Sequence, residues 1–338
     1  MRFGASLRVL LGFVLVSRTF AANVHRVYVA AGENWTAAAQ GAPPSALVVL
    51  ASGTHRGCAP GGIELSHNVT LLGEGGSNGT VVDCQGAGRH LVVRGGKRAN
   101  VFRLTLTRGV GGGLGSVGGC ILAEGTAAEV HVQDSVLVNC GALHGGAVAL
   151  YRGARLMATR SVFANNSAAG KGGALLANSS SVVLDNVDLD GNRADLSGGG
   201  AAFESNSSAM ISACRVRRNA AGAEGGGVAA VDSSLIHVER GTEIGENTAG
   251  GDGGGLYATD SSAVRCVDGV TIAANRCGGR GGGCAVKSGS SFTAQRDIKV
   301  AGNIATDGGG GSEHTIPTFS CLTQLRSVRT PAASLLAS

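Results

Sequence analysis

Three aspartates on one short segment are the side chains of this sequence whose types and spacing are best suited to chemistry. They are Asp185, Asp188 and Asp190, and three arginines follow in the next part of the chain, at Arg215, Arg217 and Arg218. Clustered carboxylates can bind Ca²⁺ or act as acid and base in glycoside cleavage, and a nearby cation can neutralise an acidic sugar. However, apolar residues alternate with Asp188 and Asp190, which is typical of a strand with one solvated face. The pattern therefore favours a solvated strand, and the sequence indicates no catalytic residue.

Two further aspartates, Asp232 and Asp260, are 28 residues apart and stack if the chain has that period. Stacked carboxylates can bind a cation, but aspartate is also common at turns, and the turn interpretation is favoured. The eight histidines show no ligand spacing, and no Cys-x-x-Cys motif occurs. The sequence therefore indicates neither a metal site nor any other cofactor.

The elements that position these residues follow from a repeat with two markers. The last glycine of each glycine cluster recurs every 27 or 28 residues, at Gly119, Gly146, Gly173, Gly200, Gly227, Gly255 and Gly283. An asparagine about eight residues upstream keeps nearly the same period, at Asn165, Asn192, Asn219, Asn247, Asn275 and Asn303. Two residue types that share one period indicate a repeat architecture.

Each repeat contains three short strand-like segments bounded by turn residues and leaves no room for an ordinary helix. Such strands bury a core only when each pairs with its copy in the next repeat. The sequence predicts an all-β fold, a single-stranded right-handed parallel β-helix with three short strands in each coil of 27–28 residues. The first and third residues after each glycine cluster are small or apolar and are expected to face inward. The fourth varies and is expected to face outward.

The two markers have physical reasons. Paired glycines supply a positive φ or a close backbone approach at a tight corner. Asparagines stacked one coil apart can bond one another as an internal amide ladder. Asn165 is assigned to this ladder although it also lies in a glycosylation sequon. We therefore expect Asn165 to escape glycosylation while Asn178 and Asn206, near exposed serine turns, can carry glycans.

The paired motifs resemble a known repeat. Gly172-Gly173-Ala174-Leu175 and Phe163-Ala164-Asn165-Asn166 are similar to the repeat of chlamydial polymorphic outer-membrane proteins. The resemblance covers about residues 118–312. It implies a pectin-lyase-like right-handed parallel β-helix displayed at a cell surface, with outer-membrane association by family resemblance alone.

The ends of the chain indicate secretion. Residues 1–21 have the positive start, short apolar run and small residues of a signal peptide, and no stretch is long enough for a transmembrane segment. Nine cysteines fit an oxidising compartment; some should pair, and an odd number leaves at least one outside a disulfide of this chain. Glycosylation sequons other than that at Asn165 lie at Asn34, Asn68, Asn78, Asn178 and Asn206. Residues 22–117 are predicted to form an N-terminal cap, with a helix over 34–40, and the first coils. Residues 118–312 form the repeat region, and 313–338 form a nonrepetitive tail.

Composition limits the possible functions. Hydrophobic residues make up 43% of the chain, which argues against disorder. A net charge of +5 with 4% aromatic residues gives no indication of nucleic-acid binding. The favoured interpretation is a secreted or cell-surface, non-catalytic β-helix with an adhesive or structural role, whose partner is a surface carbohydrate or a protein. The alternative is a polysaccharide-binding or polysaccharide-degrading protein.

Overall fold

The computed structural model describes residues 24–111 and 116–306, together with the backbone of two short strands, Glu313–His314 and Cys321–Leu322. The predicted signal peptide, residues 1–21, lies outside the described residues, as does most of the predicted tail. The cap, repeat and tail boundaries stay predictions.

The described chain winds into a right-handed parallel β-solenoid of about 9 turns with only 4% helix. This confirms the predicted fold class. Almost every strand pairs in parallel with the strand one coil before it and one coil after it, as Val148 does with Ile121 and Leu175. An antiparallel pair joins Ala305 to His314.

Three sheets run along the solenoid. Sheet A contains the strands Arg26–Val29, Leu47–Leu50, Gly53–Arg56, Val69–Gly73, Thr80–Asp83, Arg98–Phe102, Thr105–Thr107, Glu129–Gln133, Val136–Val138, Arg155–Ala164, Ser181–Asp190, Ser208–Ser212, Arg215–Arg217, Leu235–Glu239, Glu243–Gly245, Ala263–Val267, Thr271–Ala273, Ser291–Gln295 and Lys299–Ala301. Sheet B contains Ile63–Glu64, Leu91–Arg94, Ile121–Glu124, Val148–Tyr151, Leu175–Asn178, Ala201–Glu204, Val228–Ala230, Leu256–Ala258, Cys284–Val286 and Cys321–Leu322. Sheet C contains Gly141–Ala142, Ser167–Ala168, Arg193–Ala194, Ala220–Ala221, Thr248–Ala249, Arg276–Cys277, Ile304–Thr306 and Glu313–His314.

Sheet A bends once in each repeat coil at a residue with positive φ, such as Asp134 at +50° or Ala213 at +51°. The bend usually divides sheet A into two short strands, so most repeat coils have four strands instead of the predicted three. Two coils keep a continuous ten-residue strand through the bend, Arg155–Ala164 and Ser181–Asp190.

A short helix covers the first coil, as the sequence predicts. The helix Trp35–Gly41 begins after Asn34, whose Oδ1 accepts a hydrogen bond from the Ala37 amide at 3.0 Å. The helix residues Trp35 and Ala39 are completely buried. A second helix of four residues, Gly76–Gly79, lies on the surface between two strands of sheet A. The cap shields the apolar lumen from water at this end of the solenoid.

The turn glycines fall into two columns, which corrects the single column predicted from the last glycine of each cluster. The cluster that ends at Gly200 has three glycines. The register pairs Leu175 with Ala201, only 26 residues later, so Gly200 lies one position beyond the column of Gly173. Gly119, Gly146 and Gly173 stack in one column. Gly200, Gly227, Gly255 and Gly283 stack one position further on, in line with Ala174.

The two predicted reasons for paired glycines apply to different residues. The first glycine of each cluster has a positive φ, for example +70° at Gly172 and +66° at Gly225. The last glycine does not, and it is needed for close approach. A Cβ at Gly173 would lie 2.1 Å from the Gly199 carbonyl oxygen.

The same one-residue shift changes which side chains face inward in the early coils. Phe203 and Ala230, third after their clusters, pack in the lumen as predicted. Leu122 and Ala149, also third, belong instead to a separate cluster outside the lumen, while the fourth residue Leu150 is in the core. The prediction is wrong for those coils because a shift of one residue reverses the two faces of a strand.

An asparagine ladder runs along the corner between sheets A and C, and its first member is Asn166. The prediction that Asn165 belongs to it is wrong. Asn165 is exposed with φ +53°, and it stacks with Gly191 and Arg218 at the end of sheet A, one residue before the ladder. The ladder comprises Asn166, Asn192, Asn219, Asn247, Asn275 and Asn303, each at most 5% exposed.

Each ladder asparagine is held by its neighbours. The Nδ2 of Asn219 donates to Asn247 Oδ1 at 2.9 Å and to the Leu189 carbonyl at 2.9 Å. Its Oδ1 accepts from the backbone amide and the Nδ2 of Asn192, at 2.9 and 3.0 Å. Each ladder side chain donates to the asparagine of the next coil and accepts from the asparagine of the preceding coil, so the pattern repeats from coil to coil.

Candidate functional site

The structure brings together the aspartates and arginines that the sequence singled out, and pairs them. Asp188 accepts hydrogen bonds from Nε and Nη2 of Arg215, at 2.7 and 2.5 Å. Asp190 accepts a bidentate pair from Arg218. The Nη2 of Arg217 lies 3.6 Å from the Oδ2 of Asp190. Asp185 lies on the same strand, and its charge contributes to raising the pKa of Arg160.

These contacts oppose a catalytic role for the patch. The hydrogen bond from Arg218 outweighs burial and holds the pKa of Asp190 below its ordinary value. The hydrogen bonds that Arg215 donates to Asp188 raise the pKa of Arg215 in turn. The carboxylate of Asp190 is therefore an ionised partner of Arg218 in the next coil, and the same pairing recurs between Asp134 and Arg160. Sheet A carries a ladder of ion pairs that binds one coil to the next.

A pH series tests this assignment. The folded-state pKa of Asp190 is lowered, so its contribution is present above the unfolded value near 3.8 and is lost as pH falls through the folded value. Arg218→Met is therefore expected to lower the unfolding free energy only slightly near neutral pH, because the pair is solvent-screened. The difference from wild type should vanish in acid, as measured by urea unfolding.

Arg265→Met is the matched control, since Arg265 lies on the same sheet but contacts the uncharged Gln295. Its effect on unfolding should not vary with pH. An Arg218→Met difference that persists unchanged in strong acid would contradict the ion-pair assignment.

Asp232 and Asp260 do stack, and they occupy exposed turn positions with φ +53° and +54°. Their backbone carbonyl oxygens accept hydrogen bonds from Asn206 and Ser233 of the coils before them, at 2.7 and 2.8 Å. Neither belongs to a group of three potential metal ligands among the described residues. This geometry fits the turn interpretation.

The sequon asparagines differ in accessibility. Asn34, Asn68, Asn78 and Asn206 are exposed, and Asn178 is half-buried, with its Nδ2 3.2 Å from Ser205 Oγ. Asn165 is exposed as well, so the reason for expecting it to escape glycosylation does not hold.

A polar row that the sequence reading missed lies at the corner between sheets C and B. The residue immediately before each glycine cluster occupies this corner, at His144, Lys171, Ser197, Glu224, Asp252 and Arg280. We call these six residues the corner row. Successive coils of a parallel sheet are about 4.8 Å apart, so the row presents polar groups at that interval. The signal was available in the sequence, because the glycine clusters are repeatedly preceded by a polar residue.

A floor of mostly small, buried residues separates the corner row from a second, mostly polar row. The floor consists of Ala149, Leu176, Ala202, Ala229, Tyr257 and Ala285, which project from sheet B away from the lumen. The rim row lies two residues further along each strand, at Tyr151, Asn178, Glu204, Val231, Thr259 and Lys287. Together these residues form what we call the corner face.

Ion pairs cross the floor diagonally between the two rows. Lys171 Nζ pairs with a carboxylate oxygen of Glu204, and Lys287 Nζ pairs with Asp252. Between the two crossings, Glu224 accepts a hydrogen bond from Ser197 Oγ at 2.9 Å. The crossings cover the floor, and the lysine side chains, 34% and 49% exposed, are more accessible than the carboxylate side chains of Glu204 and Asp252, each 12% exposed.

The electrostatics of the corner face fix its donors and acceptors. Burial alone would raise the pKa of Asp252, but hydrogen bonds from Lys287 and the Arg280 amide hold it below its ordinary value. Burial, with the charges of Glu204 and Glu124, raises the pKa of Tyr151 to about 12, so its phenol stays a donor.

His144 is a neutral donor on this face. Burial is the largest influence on its pKa, which lies below the ordinary value. Its Nδ1 accepts the Lys171 backbone amide at 3.0 Å, so in the neutral ring Nε2 carries the proton. The corner face thus offers His144, lysine and tyrosine donors beside carboxylate acceptors.

The carboxyl groups give no sign of a general acid. Each described carboxyl group with a resolved pKa shift is shifted downward: Asp83, Asp134, Asp190 and Asp252. A glycoside hydrolase needs one carboxyl group held protonated near neutral pH. None of these four carboxyl groups is held protonated in this way.

The described part of the chain contains two groups that could hold a metal, and both include His90. One combines His90 with Cys58 and Cys84, and the other with Cys120 and Cys140. Each cysteine pair forms a disulfide. Four further cysteines are buried outside these bonds: Cys214, Cys266, Cys277 and Cys284.

The coils and the corner face define a right-handed parallel β-helix protein. The chain belongs to the family described as the right handed beta helix region, which matches residues 115–312. The chlamydial repeat resemblance stays a prediction. No curated protein matches the chain.

Solved structures are similar to the chain at low sequence identity. The pectate lyase Pel9A has a TM-score of 0.50 and 13% identity, covering 85% of this chain and 81% of its own. A pectin methylesterase from Aspergillus niger has a TM-score of 0.40 and 10% identity, covering 92% of this chain and 93% of its own. The A-module of the mannuronan C-5 epimerase AlgE4 from Azotobacter vinelandii has a TM-score of 0.35 and 13% identity, covering 79% of this chain and 89% of its own. Within the described residues, no helix is both long enough and apolar enough to cross a membrane.

Proposed function

We propose that the protein is a secreted polysaccharide-binding β-helix that holds an extended glycan along the corner face. The observation that carries the proposal is the corner row, in which six successive coils place a polar side chain at one corner. An interval of about 4.8 Å is close to the length of one sugar unit in an extended chain, so one coil can contact one unit. The pectate lyase fold supports a polysaccharide ligand by analogy alone.

The charges of the corner face indicate a neutral glycan. The cations Lys171, Arg280 and Lys287 balance the anions Glu204, Glu224 and Asp252, so the net charge of these six residues is zero. Each lysine is already paired with a carboxylate. Hydroxyl groups can bond to such pairs without separating them, whereas a polyuronate would compete with the paired carboxylates.

Secretion is part of this proposal and has separate support. The apolar N-terminal segment is typical of a signal peptide. Two disulfides, Cys58–Cys84 and Cys120–Cys140, lie in the described residues, and such bonds persist in oxidising compartments. The adhesive or structural role inferred from the sequence stays a prediction, and glycan binding is one way in which it could be fulfilled.

Binding to a panel of neutral glucans, mannans, xylans and polyuronates, scored together with release of sugar products, tests the proposal. The Lys171→Met/Glu224→Gln double variant is expected to bind a neutral glycan at least tenfold more weakly. A hydrogen bond to a charged group is worth about 1.5–3 kcal/mol, and about 1.4 kcal/mol corresponds to tenfold.

The Asp188→Asn/Arg215→Met double variant is the control, because it removes a charged pair from sheet A instead of the corner face. It should bind like wild type. Silence across the panel, or equal loss in both variants, would contradict the proposal. Product release would replace binding with degradation as the function.

A further inference from the structure

Two exposed leucines lie beside the corner row on its sheet C side. Leu143 is 38% exposed and Leu196 is 47% exposed, and each comes immediately before a corner-row residue, His144 or Ser197. A single exposed leucine is ordinary on a protein surface. These two are informative because they share one column along the solenoid and border the surface proposed to bind a glycan.

Backbone hydrogen bonds place the two leucines in that column. The Gly170 amide donates to the Leu143 carbonyl at 2.7 Å, and the Leu196 amide donates to the Gly170 carbonyl at 2.9 Å. The leucines are therefore two coils apart, about 10 Å along the solenoid, with a glycine between them. The column continues with Ala223 and Gly251, whose amides donate to the residues before them at 2.9 and 2.8 Å.

A polar ring lies between the two leucines. A Cβ added at Gly170 would lie 2.4 Å from both Nδ1 and Cε1 of His144, so the imidazole lies over this glycine. Its Nδ1 accepts the Lys171 amide, and its Nε2 carries the proton. An apolar group, a hydrogen-bond donor and a second apolar group thus follow one another over three successive coils.

This order matches one kind of sugar chain. In an extended β-1,4-linked chain of hexopyranoses, each unit is turned over relative to the one before it, so every second unit presents the same face. With one unit per coil, units of the same orientation would lie at Leu143 and Leu196. A pyranose whose substituents are all equatorial has only C–H groups on its faces, and a leucine side chain can cover such a face favourably.

We propose that the glycan on the corner face is a β-1,4-linked chain of all-equatorial hexopyranose units, of the glucan type, and that Leu143 and Leu196 cover the C–H faces of two units separated by one. This inference rests on the proposed function, because it names the glycan that the corner face binds. The leucines fix where the chain lies along the solenoid, since the column continues with alanine and glycine. The hydroxyl edge of the chain then meets the paired charges of the corner row.

Titration calorimetry of wild type with three hexasaccharides tests the ligand class and needs no variant. Cellohexaose should bind at least about fivefold more tightly than β-1,4-mannohexaose, whose axial hydroxyl at C2 would be desolvated against a leucine. It should also bind more tightly than laminarihexaose, which has the same units in β-1,3 linkage and lacks the alternating repeat.

The Leu143→Ser/Leu196→Ser double variant tests the two leucines. It should bind cellohexaose at least about tenfold more weakly, because two sugar faces lose their apolar contact. Leu235→Ser is the matched control, since Leu235 is 42% exposed but lies on sheet A. The control should bind like wild type, and all of these exposed substitutions should leave the fold intact.

Chain length gives a readout that a general loss of stability would not produce. A chain of three units reaches both leucines, whereas a chain of two units reaches only one. Affinity should therefore rise from cellobiose to cellotriose in wild type, and Leu196→Ser should reduce this rise.

The outcomes separate this inference from the proposed function. Glycan binding that is weakened by Lys171→Met/Glu224→Gln but unchanged by the leucine double variant would overturn this inference alone. Mannohexaose or laminarihexaose binding as tightly as cellohexaose would do the same. Absence of binding to every glycan would overturn both proposals.

Discussion

Gly173→Ala is expected to destabilise the protein by about 3–5 kcal/mol or to prevent folding. A Cβ at Gly173 would lie 2.1 Å from the Gly199 carbonyl oxygen and 2.7 Å from the Arg193 backbone nitrogen. Both contacts are with the backbone of the next coil, which cannot yield by changing a rotamer. The two coils would have to separate at this corner, and the hydrogen bonds of sheets B and C beside it would be stretched. Urea unfolding of the purified variant measures the loss.

Gly141→Ala is the matched control for this substitution. Gly141 lies in sheet C of the preceding coils, has no positive φ, and an added Cβ would meet only the Ser167 carbonyl oxygen, at 3.9 Å. Its unfolding free energy should stay within about 0.5 kcal/mol of wild type. If Gly173→Ala were equally mild, close approach would not be the reason for the last glycine of each cluster.

Asn166→Ala is expected to cost about 2–4 kcal/mol of unfolding free energy. Its Oδ1 accepts the Cys140 amide at 2.9 Å, and its Nδ2 donates to the Leu137 carbonyl and to Asn192 Oδ1, both at 3.0 Å. Alanine leaves the Cys140 amide and the Leu137 carbonyl buried without these partners. Each unsatisfied buried group costs about 1–3 kcal/mol.

The neighbouring residue provides the control for this effect. Asn165 has the same side chain but is exposed directly after the sheet A strand, with φ +53°. Asn165→Gly keeps that conformation accessible and should change the unfolding free energy by less than about 0.5 kcal/mol. A larger loss for Asn165→Gly than for Asn166→Ala, measured by chemical denaturation, would contradict the assignment of the ladder to Asn166.

The ladder and the ion pairs of sheet A stabilise the solenoid in different environments. The amides of Asn219 and Asn247 bond to each other in the interior, where water cannot compete. The pair between Asp190 and Arg218 lies at the surface and is screened by solvent. We therefore expect the ladder to dominate stability along the coils, and the ion pairs to contribute modestly and only above acidic pH.

The sequence by itself determined that the chain forms stacked coils. The periods of the glycine clusters and the asparagines leave each short strand only one way to complete its hydrogen bonds, which is to pair with its copy one coil away. The cap helix could also be predicted, because Asn34 is a good N-cap and precedes a run of helix-forming alanines.

The tertiary structure decided the exact register. Asn165 and Asn166 are adjacent and identical, so only the pairing of Asn166 with Asn192, 26 residues later, shows which of them turns inward. The third glycine at Gly200 likewise moves the column by one residue, which reverses the strand faces of the preceding coils relative to the prediction. Because the last glycine of a cluster can shift by one residue between coils, it does not specify which face of the next strand points inward.

The tertiary structure also decided which residues meet. The corner row is visible in the sequence as a polar residue before each glycine cluster, but the diagonal crossing from Lys171 to Glu204 depends on how two coils stack. The two groups around His90 have no motif at all, because Cys58, Cys84, Cys120 and Cys140 come from separate turns of the chain. A solenoid stacks its coils, so residues about one coil apart along the chain come into contact. Which of them meet depends on the length of each coil and on where the chain turns at its corners.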